Sequence, residues 1–206
     1  MAEQAIFTVL VMVSDGSGNL LMEDRNDPGW PGICFPGGHV EPGESFVASV
    51  IREVQEETGL TIQDPILCGV KQFPREDGAR YVVLLFRATR FTGTLTSSSE
   101  GKMLWLTREE LKGRHLTSDF PEMLCVFENP TLSEFYYYQA PGPEKWRHSL
   151  LCPTGGAPLR FCRAAPPFRS GRPSPLRCAP PAHLSQSKKN PPTTPGRGIS
   201  LLYALS

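Results

Sequence analysis

An α/β sandwich is the fold class the sequence predicts. Short apolar runs of strand length, Ile6 to Val13 and Tyr81 to Arg87 foremost, are separated by turns rich in Gly, Pro and Asn. Between them, Ser45 to Thr58 keeps a helical period, with Val47, Val50, Ile51 and Val54 on one arc that can seat it on a core. A further helix start is signalled at Thr107, where Thr and Glu110 have the spacing of a capping box.

Taken in order, Ile6 to Val13 reads as a buried strand, and Asp15-Gly16-Ser17-Gly18-Asn19 supplies a turn into a second strand at Leu20 to Glu23, which predicts a hairpin. Asp27 to Gly32 is a loop, and Ile33 to Phe35 leads into Pro36-Gly37-Gly38, where the backbone turns tightly before the helix. Ile66 to Phe73 and Tyr81 to Arg87 have strand character, while Thr92 to Ser99 reads as a polar loop ahead of Glu100. Met103 to Leu106 is a short strand, Phe120 to Phe127 a helix, and Phe135 to Tyr138 an edge strand.

The helix is the informative element. At about 100° per residue, Glu53, Glu56 and Glu57 crowd within an arc of roughly 100°, with Arg52 at its edge. Like charges at these spacings disfavour an isolated helix, and Arg52 gives only local relief. A bound divalent cation removes the conflict, and carboxylate oxygens suit a hard ion such as Mg2+, with Mn2+ as the alternative. The competing reading is a solvated charged helix.

The surrounding spacing favours the cation. Gly38, Glu44, Arg52, Glu53, Val54, Glu56, Glu57, Gly59 and Leu60 fill every fixed position of the pattern Gly-x5-Glu-x7-Arg-Glu-apolar-x-Glu-Glu-x-Gly-apolar. This segment resembles the signature of the Nudix hydrolase family. The resemblance implies the Nudix fold, a mixed β-sheet sandwiched between α-helices. It also implies divalent metal bound by Glu53, Glu56, Glu57 and the carbonyl of Gly37. Family members related to oxidised-nucleotide pyrophosphohydrolases carry a further metal-binding or basic Glu ahead of a strand bearing Trp, a placement that Glu100 and Trp105 match. Glu53 is the first choice for the base that takes a proton from the attacking water, and Arg52 orients the acids. Gly38, Glu44 and Gly59 read as structural, with Glu44 at the positive end of the helix dipole and Gly59 a left-handed cap.

The expected reaction is hydrolysis of a nucleoside diphosphate linked to a further group X, releasing a nucleoside monophosphate and phosphorylated X. The stretch Trp30 to Ser45 resembles bacterial members labelled 8-oxo-dGTP diphosphatases of the MutT type, which favours a nucleoside triphosphate. Arg25 resembles the family's phosphate-contacting Arg, against an exposed strand-end Arg. Trp30 or Phe35 is a candidate to stack on a base, against simple packing. Asp119 is a candidate to meet a purine edge, against capping the next helix. Asp119-Phe120-Pro121 lacks the Asn that follows a similar tripeptide in members that read oxidised guanine. A non-catalytic nucleotide sensor and an RNA 5′-end or cap pyrophosphohydrolase are the alternatives.

Composition divides the 206 residues. Residues 1–144 hold all 21 acidic residues and 11 of the 21 Lys and Arg, a formal charge of −10, while residues 145–206 hold ten basic residues and no acid. A Nudix domain over 1–144 is therefore expected, followed by a basic, Pro-rich, disordered extension over 145–206. The tail is a possible tether for RNA or an acidic surface, and its abrupt loss of acids is also what an altered reading frame yields. The six cysteines form no Cys-x-x-Cys pair, so structural zinc is not expected. With no signal-like leader and no apolar run near the ~20 residues that cross a bilayer, the expectations are a cytoplasmic location and no membrane partner. Oligomeric state is not legible.

Overall fold

The computed structural model describes residues 2–139, 141 and 146–152. The elements in chain order are β1 (Ala5–Val13), β2 (Leu20–Arg25), β3 (Gly32–Cys34), α1 (Phe46–Thr58), β4 (Leu60–Gln63), β5 (Ile66–Pro74) and β6 (Arg80–Ala88). They continue with β7 (Arg90–Gly93), β8 (Gly101–Leu106), α2 (Arg108–Leu111), α3 (Phe120–Glu128), β9 (Glu134–Gln139) and β10 (Trp146–Leu151). The disordered extension expected over 145–206 lies almost wholly outside the described residues. Among those residues, no helix is long and apolar enough to cross a membrane.

Five strands form a mixed sheet in the order β1-β6-β5-β9-β10, and three form an antiparallel sheet in the order β3-β2-β8. Successive side chains of β1 serve opposite faces, as the period of two demands. Leu10 and Met12 join Phe35, Phe120, Met123 and Phe127 beneath α3, while Val9, Val11 and Val13 pack with Val50 and Val54 of α1. Helices thus cover both faces, the sandwich the apolar runs predict.

Several expectations change. The hairpin of β1 and β2 does not form: β1 pairs with β6, β2 pairs with β3 and β8, and a single bridge from Ser14 to Leu20 links the two strands. Both strands are buried on both faces over most of their length, so each needs its own sheet, and the Asp15 turn hands the chain between them. The second change is that β9 is an interior strand between β5 and β10. The third is that β10 runs past the boundary set at residue 144, with Leu150 4% exposed opposite fully buried Phe135. The acid-free composition after Glu144 conceals this strand. A short ribbon of β4 and β7 also forms over residues given no element and the first two of the predicted Thr92 to Ser99 loop, because Leu60 and Ile62 alternate inward against Thr61 and Gln63.

Candidate active site

The Pro36-Gly37-Gly38 turn lies along the outer edge of β1, whose Val9 and Val11 amides donate to the carbonyls of Gly38 and Pro36 at 2.9 and 3.0 Å. Gly37 is held at φ +149°, and a Cβ there would sit 2.1 Å from the Val9 carbonyl oxygen, so only glycine fits. Gly38 is needed for space: its Cβ would lie 2.5–2.7 Å from the Glu53 carboxylate.

Helix α1 is fixed at both ends. Ser45 Oγ accepts from the Ala48 amide at 3.1 Å, and Gly59 closes the helix at φ +72° with its amide donating to Gln55, the left-handed cap expected of it. Glu44 precedes the cap and acts differently from the dipole role expected. Its two oxygens each accept from Arg52, from Nε and from Nη2 at 2.9 Å. Arg52 Nη1 then reaches Glu53 at 3.0 Å and Glu56 at 3.1 Å, and Nη2 donates to the His39 carbonyl at 3.0 Å. The Arg52 guanidinium holds the Glu44 carboxyl below its usual range. Arg52 therefore ties the start of α1, its acidic stripe and the glycine turn into one rigid unit.

Glu57 points inward. It is 3% exposed, and its Oε2 accepts from the Gly37 amide at 2.9 Å. Oxygens of Glu23, Glu57 and Glu100 all lie within 4.8 Å of one another. Register brings Glu100 there: Arg25 pairs with Gly101 across β2 and β8, and the Asn26 amide donates to the Glu100 carbonyl at 2.8 Å. Burial first, then the neighbouring Glu23, pushes the Glu57 carboxyl up to about 9. Burial also raises Glu23, partly offset by Arg25, and raises Glu53, partly offset by Arg52. Glu23 Oε1 is buried with no hydrogen-bond partner among the described residues. An orphaned buried oxygen beside two more carboxylates is a poor apo arrangement and a good hard-cation ligand set.

Of the expected metal set, the structure gathers Glu57 and Glu100, places Glu53 beside them under Gly38, and turns Glu56 outward onto Arg52 with 61% of its side chain exposed. Glu23 was missed. It ends an apolar strand, and its one sequence signal is that it shares a strand face with Leu21, which packs toward α1.

The expected substrate residues divide. Arg25 bonds Glu23 through Nη1 at 3.2 Å and lies 5.0 Å from the centroid of the Trp30 ring. Trp30 Nε1 donates to Ser118 Oγ at 3.4 Å. Phe35 is corrected: it is fully buried, with the rings of Phe120 and Phe127 5.0 and 4.9 Å away, and is core. Asp119 stands at the start of α3 but makes no side-chain cap; its carboxylate pairs with Lys71 at 3.2 Å.

An α/β/α scaffold whose glycine turn and acidic helix converge on a cluster of carboxylates defines a class of proteins whose donor set suits a hard cation. Residues 5–127, more than half the chain, match the NUDIX domain model, and the chain belongs to that family. It is similar to YvcI of Bacillus subtilis, described as an uncharacterized Nudix hydrolase, at 40% identity over 103 residues, 48% of this chain and 63% of that one. It is also similar to the NAD-capped RNA hydrolase NudC of Mycobacterium tuberculosis, at 32% identity over 117 residues, 54% of this chain and 36% of that one. The chain thus spans less than two thirds of the length of these curated relatives. The crystal structure of a MutT protein from Bacillus halodurans shares the fold, with TM-score 0.54 and 24% identity over 69% of this chain and 97% of that one.

Proposed function

We propose that this chain hydrolyses the diphosphate bridge of a nucleotide in a divalent-cation-dependent reaction. The observation that carries the reading is the meeting of Glu23, Glu57 and Glu100 beneath an Arg52-braced acidic helix. Glu23, Glu57 and Glu100 would hold the cation, with Glu53 and the Gly37 carbonyl beside them, while Glu56, which here faces Arg52, would have to turn inward to join the set. When bound, Mg2+ would neutralise the bridge oxygens and make water easier to deprotonate.

The protein's own groups supply positioning and proton transfer. Glu53, whose proton affinity burial raises, takes the proton of the water as it attacks phosphorus, and Arg52 holds the carboxylate on line. The bond to the bridging oxygen breaks, leaving a nucleoside monophosphate and phosphorylated X. Arg25 supplies positive charge toward the phosphates, and Trp30 offers its ring to the base. The similarity of Trp30 to Ser45 to MutT-type members favours a nucleoside triphosphate, ordinary or oxidised as in 8-oxo-dGTP, cleaved to monophosphate and pyrophosphate. The similarity to NudC supports a second reading, cleavage at a capped RNA 5′ end.

Hydrolysis of ordinary and oxidised nucleoside triphosphates, nucleotide sugars, dinucleotides and capped RNA, with and without Mg2+, tests both readings by product identification. Monophosphate and pyrophosphate from a triphosphate are expected. Turnover confined to capped RNA would favour the second reading, and no turnover of any substrate would leave a nucleotide-binding module.

A further inference from the structure

The Glu23 carboxylate reaches the acidic cluster from β2, outside the helical signature, and the strand beside it is shaped to admit it. Glu23 is fully buried. Its Oε2 accepts from Arg25 Nη1 at 3.2 Å, and its Oε1 has no partner among the described residues. Arginine commonly engages both oxygens of a carboxylate, and a buried oxygen left bare costs stability, so pairing with Arg25 does not account for Glu23. The same carboxylate offers an oxygen within 4.8 Å of oxygens of Glu57 and Glu100.

Gly101 makes this arrangement possible. It is the first residue of β8, pairs with Arg25 across the ladder and is buried. Its backbone lies outside the left-handed region, so conformation does not call for glycine there; space does. A Cβ at position 101 would stand 2.6 Å from Glu23 Cγ, 2.8 Å from Glu23 Oε1 and 2.6 Å from the Asp24 carbonyl oxygen. Any larger residue therefore drives the Glu23 side chain off β8. Just before Gly101, the Asn26 amide holds the Glu100 carbonyl at 2.8 Å, and Ser98 Oγ accepts from the Glu100 amide at 3.1 Å. Glu23 and Glu100 are thus fixed by one strand pair, apart from the Arg52 bonds that fix α1. Each added carboxylate raises the negative charge that a hard cation meets before substrate phosphates contribute. We propose that Gly101 is a positioning residue of the cation site: by carrying no side chain it lets Glu23 lie against β8 and join Glu57 and Glu100, so that the β2–β8 pair sets cation affinity in the nucleotide-free chain. This rests on the cation-dependent reading and adds to it two residues outside the helical signature.

Calorimetric titration of Mn2+ into the full, nucleotide-free chain tests it without a substrate. Glu23→Gln, which keeps the shape and removes the charge, and Gly101→Ala should each weaken binding about tenfold or more. The double variant Glu23→Gln/Gly101→Ala should bind within about twofold of the weaker single variant, because both act through one carboxylate. In turnover, the loss in Gly101→Ala should appear chiefly as a higher Mg2+ concentration at half-maximal rate, more than in kcat. General disruption by the added methyl would multiply the two affinity losses and lower kcat instead. No Mn2+ binding by the parent, unchanged affinity in either single variant, or multiplied losses in the double variant overturns the assignment. Should Gly101→Ala fail to fold, adding Glu23→Ala empties the contested space and should restore a cooperative melt; failure to restore it overturns the assignment equally. The expected affinity losses in a chain that hydrolyses no nucleotide would refute the hydrolase reading alone.

Discussion

Glu57 shows what the site demands of one residue. Its carboxyl is held at about 9 against an ordinary 4.5, so between those values the folded, metal-free chain keeps a proton that the unfolded chain releases. Stability of the metal-free protein therefore falls as pH rises through that window. A cation must displace the proton, so the rise in melting temperature on adding Mg2+ should grow from about pH 6 to about pH 8; a pH-independent rise would contradict the coupling. Glu57→Gln keeps an acceptor for the Gly37 amide while removing the charge. It should melt higher than the parent in chelator at about pH 8, yet lose turnover by roughly two orders of magnitude or more, measured as kcat with Mg2+. Gly38→Ala acts on the same site by volume alone. A methyl 2.5 Å from a Glu53 oxygen displaces the proposed base, so kcat should fall about tenfold or more while circular dichroism is unchanged.

At the scale of elements, α1 is held by its ends and by Arg52 more than by intrinsic propensity, since its acids repel one another. Ser45→Ala removes the single cap to Ala48 and should cost about 1 kcal/mol in denaturant unfolding. Gly59→Ala should cost more. It forces a side chain into φ +72°, and its Cβ would meet the Thr94 carbonyl oxygen at 2.8 Å and Thr96 Oγ1 at 2.7 Å. The order of these two losses is the check, because equal costs would mean that the Thr94–Thr96 segment yields freely. Pairing of β2 with β8 is the other positioning element, for it brings Glu100 to Glu23.

For the whole molecule, the question is where the folded unit stops. Among the described residues the last strand is β10, which pairs with β9 from Trp146 to Leu151 and buries Leu150. A chain ending after residue 152 should retain the melting temperature and Mg2+-dependent turnover of the full chain. One ending after residue 144 should melt lower, because deleting β10 uncovers Phe135 and leaves β9 as a bare edge. Equal melting of the two truncations would place β10 outside the cooperative unit. Comparing RNA affinity and its salt dependence with and without residues 153–206 tests the proposed tether, which predicts a weaker and less salt-sensitive complex on deletion.

What the sequence by itself determined is what neighbouring residues impose on one another. The helical period of 3.6 places Glu53, Glu56 and Glu57 together, Ser45 and Gly59 bound the helix through local hydrogen bonds, and the Pro36-Gly37-Gly38 turn needs residues without side chains. The family followed from that one segment. Tertiary structure decided that Glu23 joins Glu57 and Glu100 and that Glu56 turns away. Glu23, Glu57 and Glu100 come from three elements joined by strand register and helix packing, and no local spacing encodes that distance. The same holds for Phe35, a candidate stacking ring set against simple packing and found in the core, and for Asp119, a candidate for a purine edge set against capping and found paired with Lys71, 48 positions away in the chain. Burial and long-range pairing depend on what the rest of the chain leaves room for, and only the folded molecule settles that.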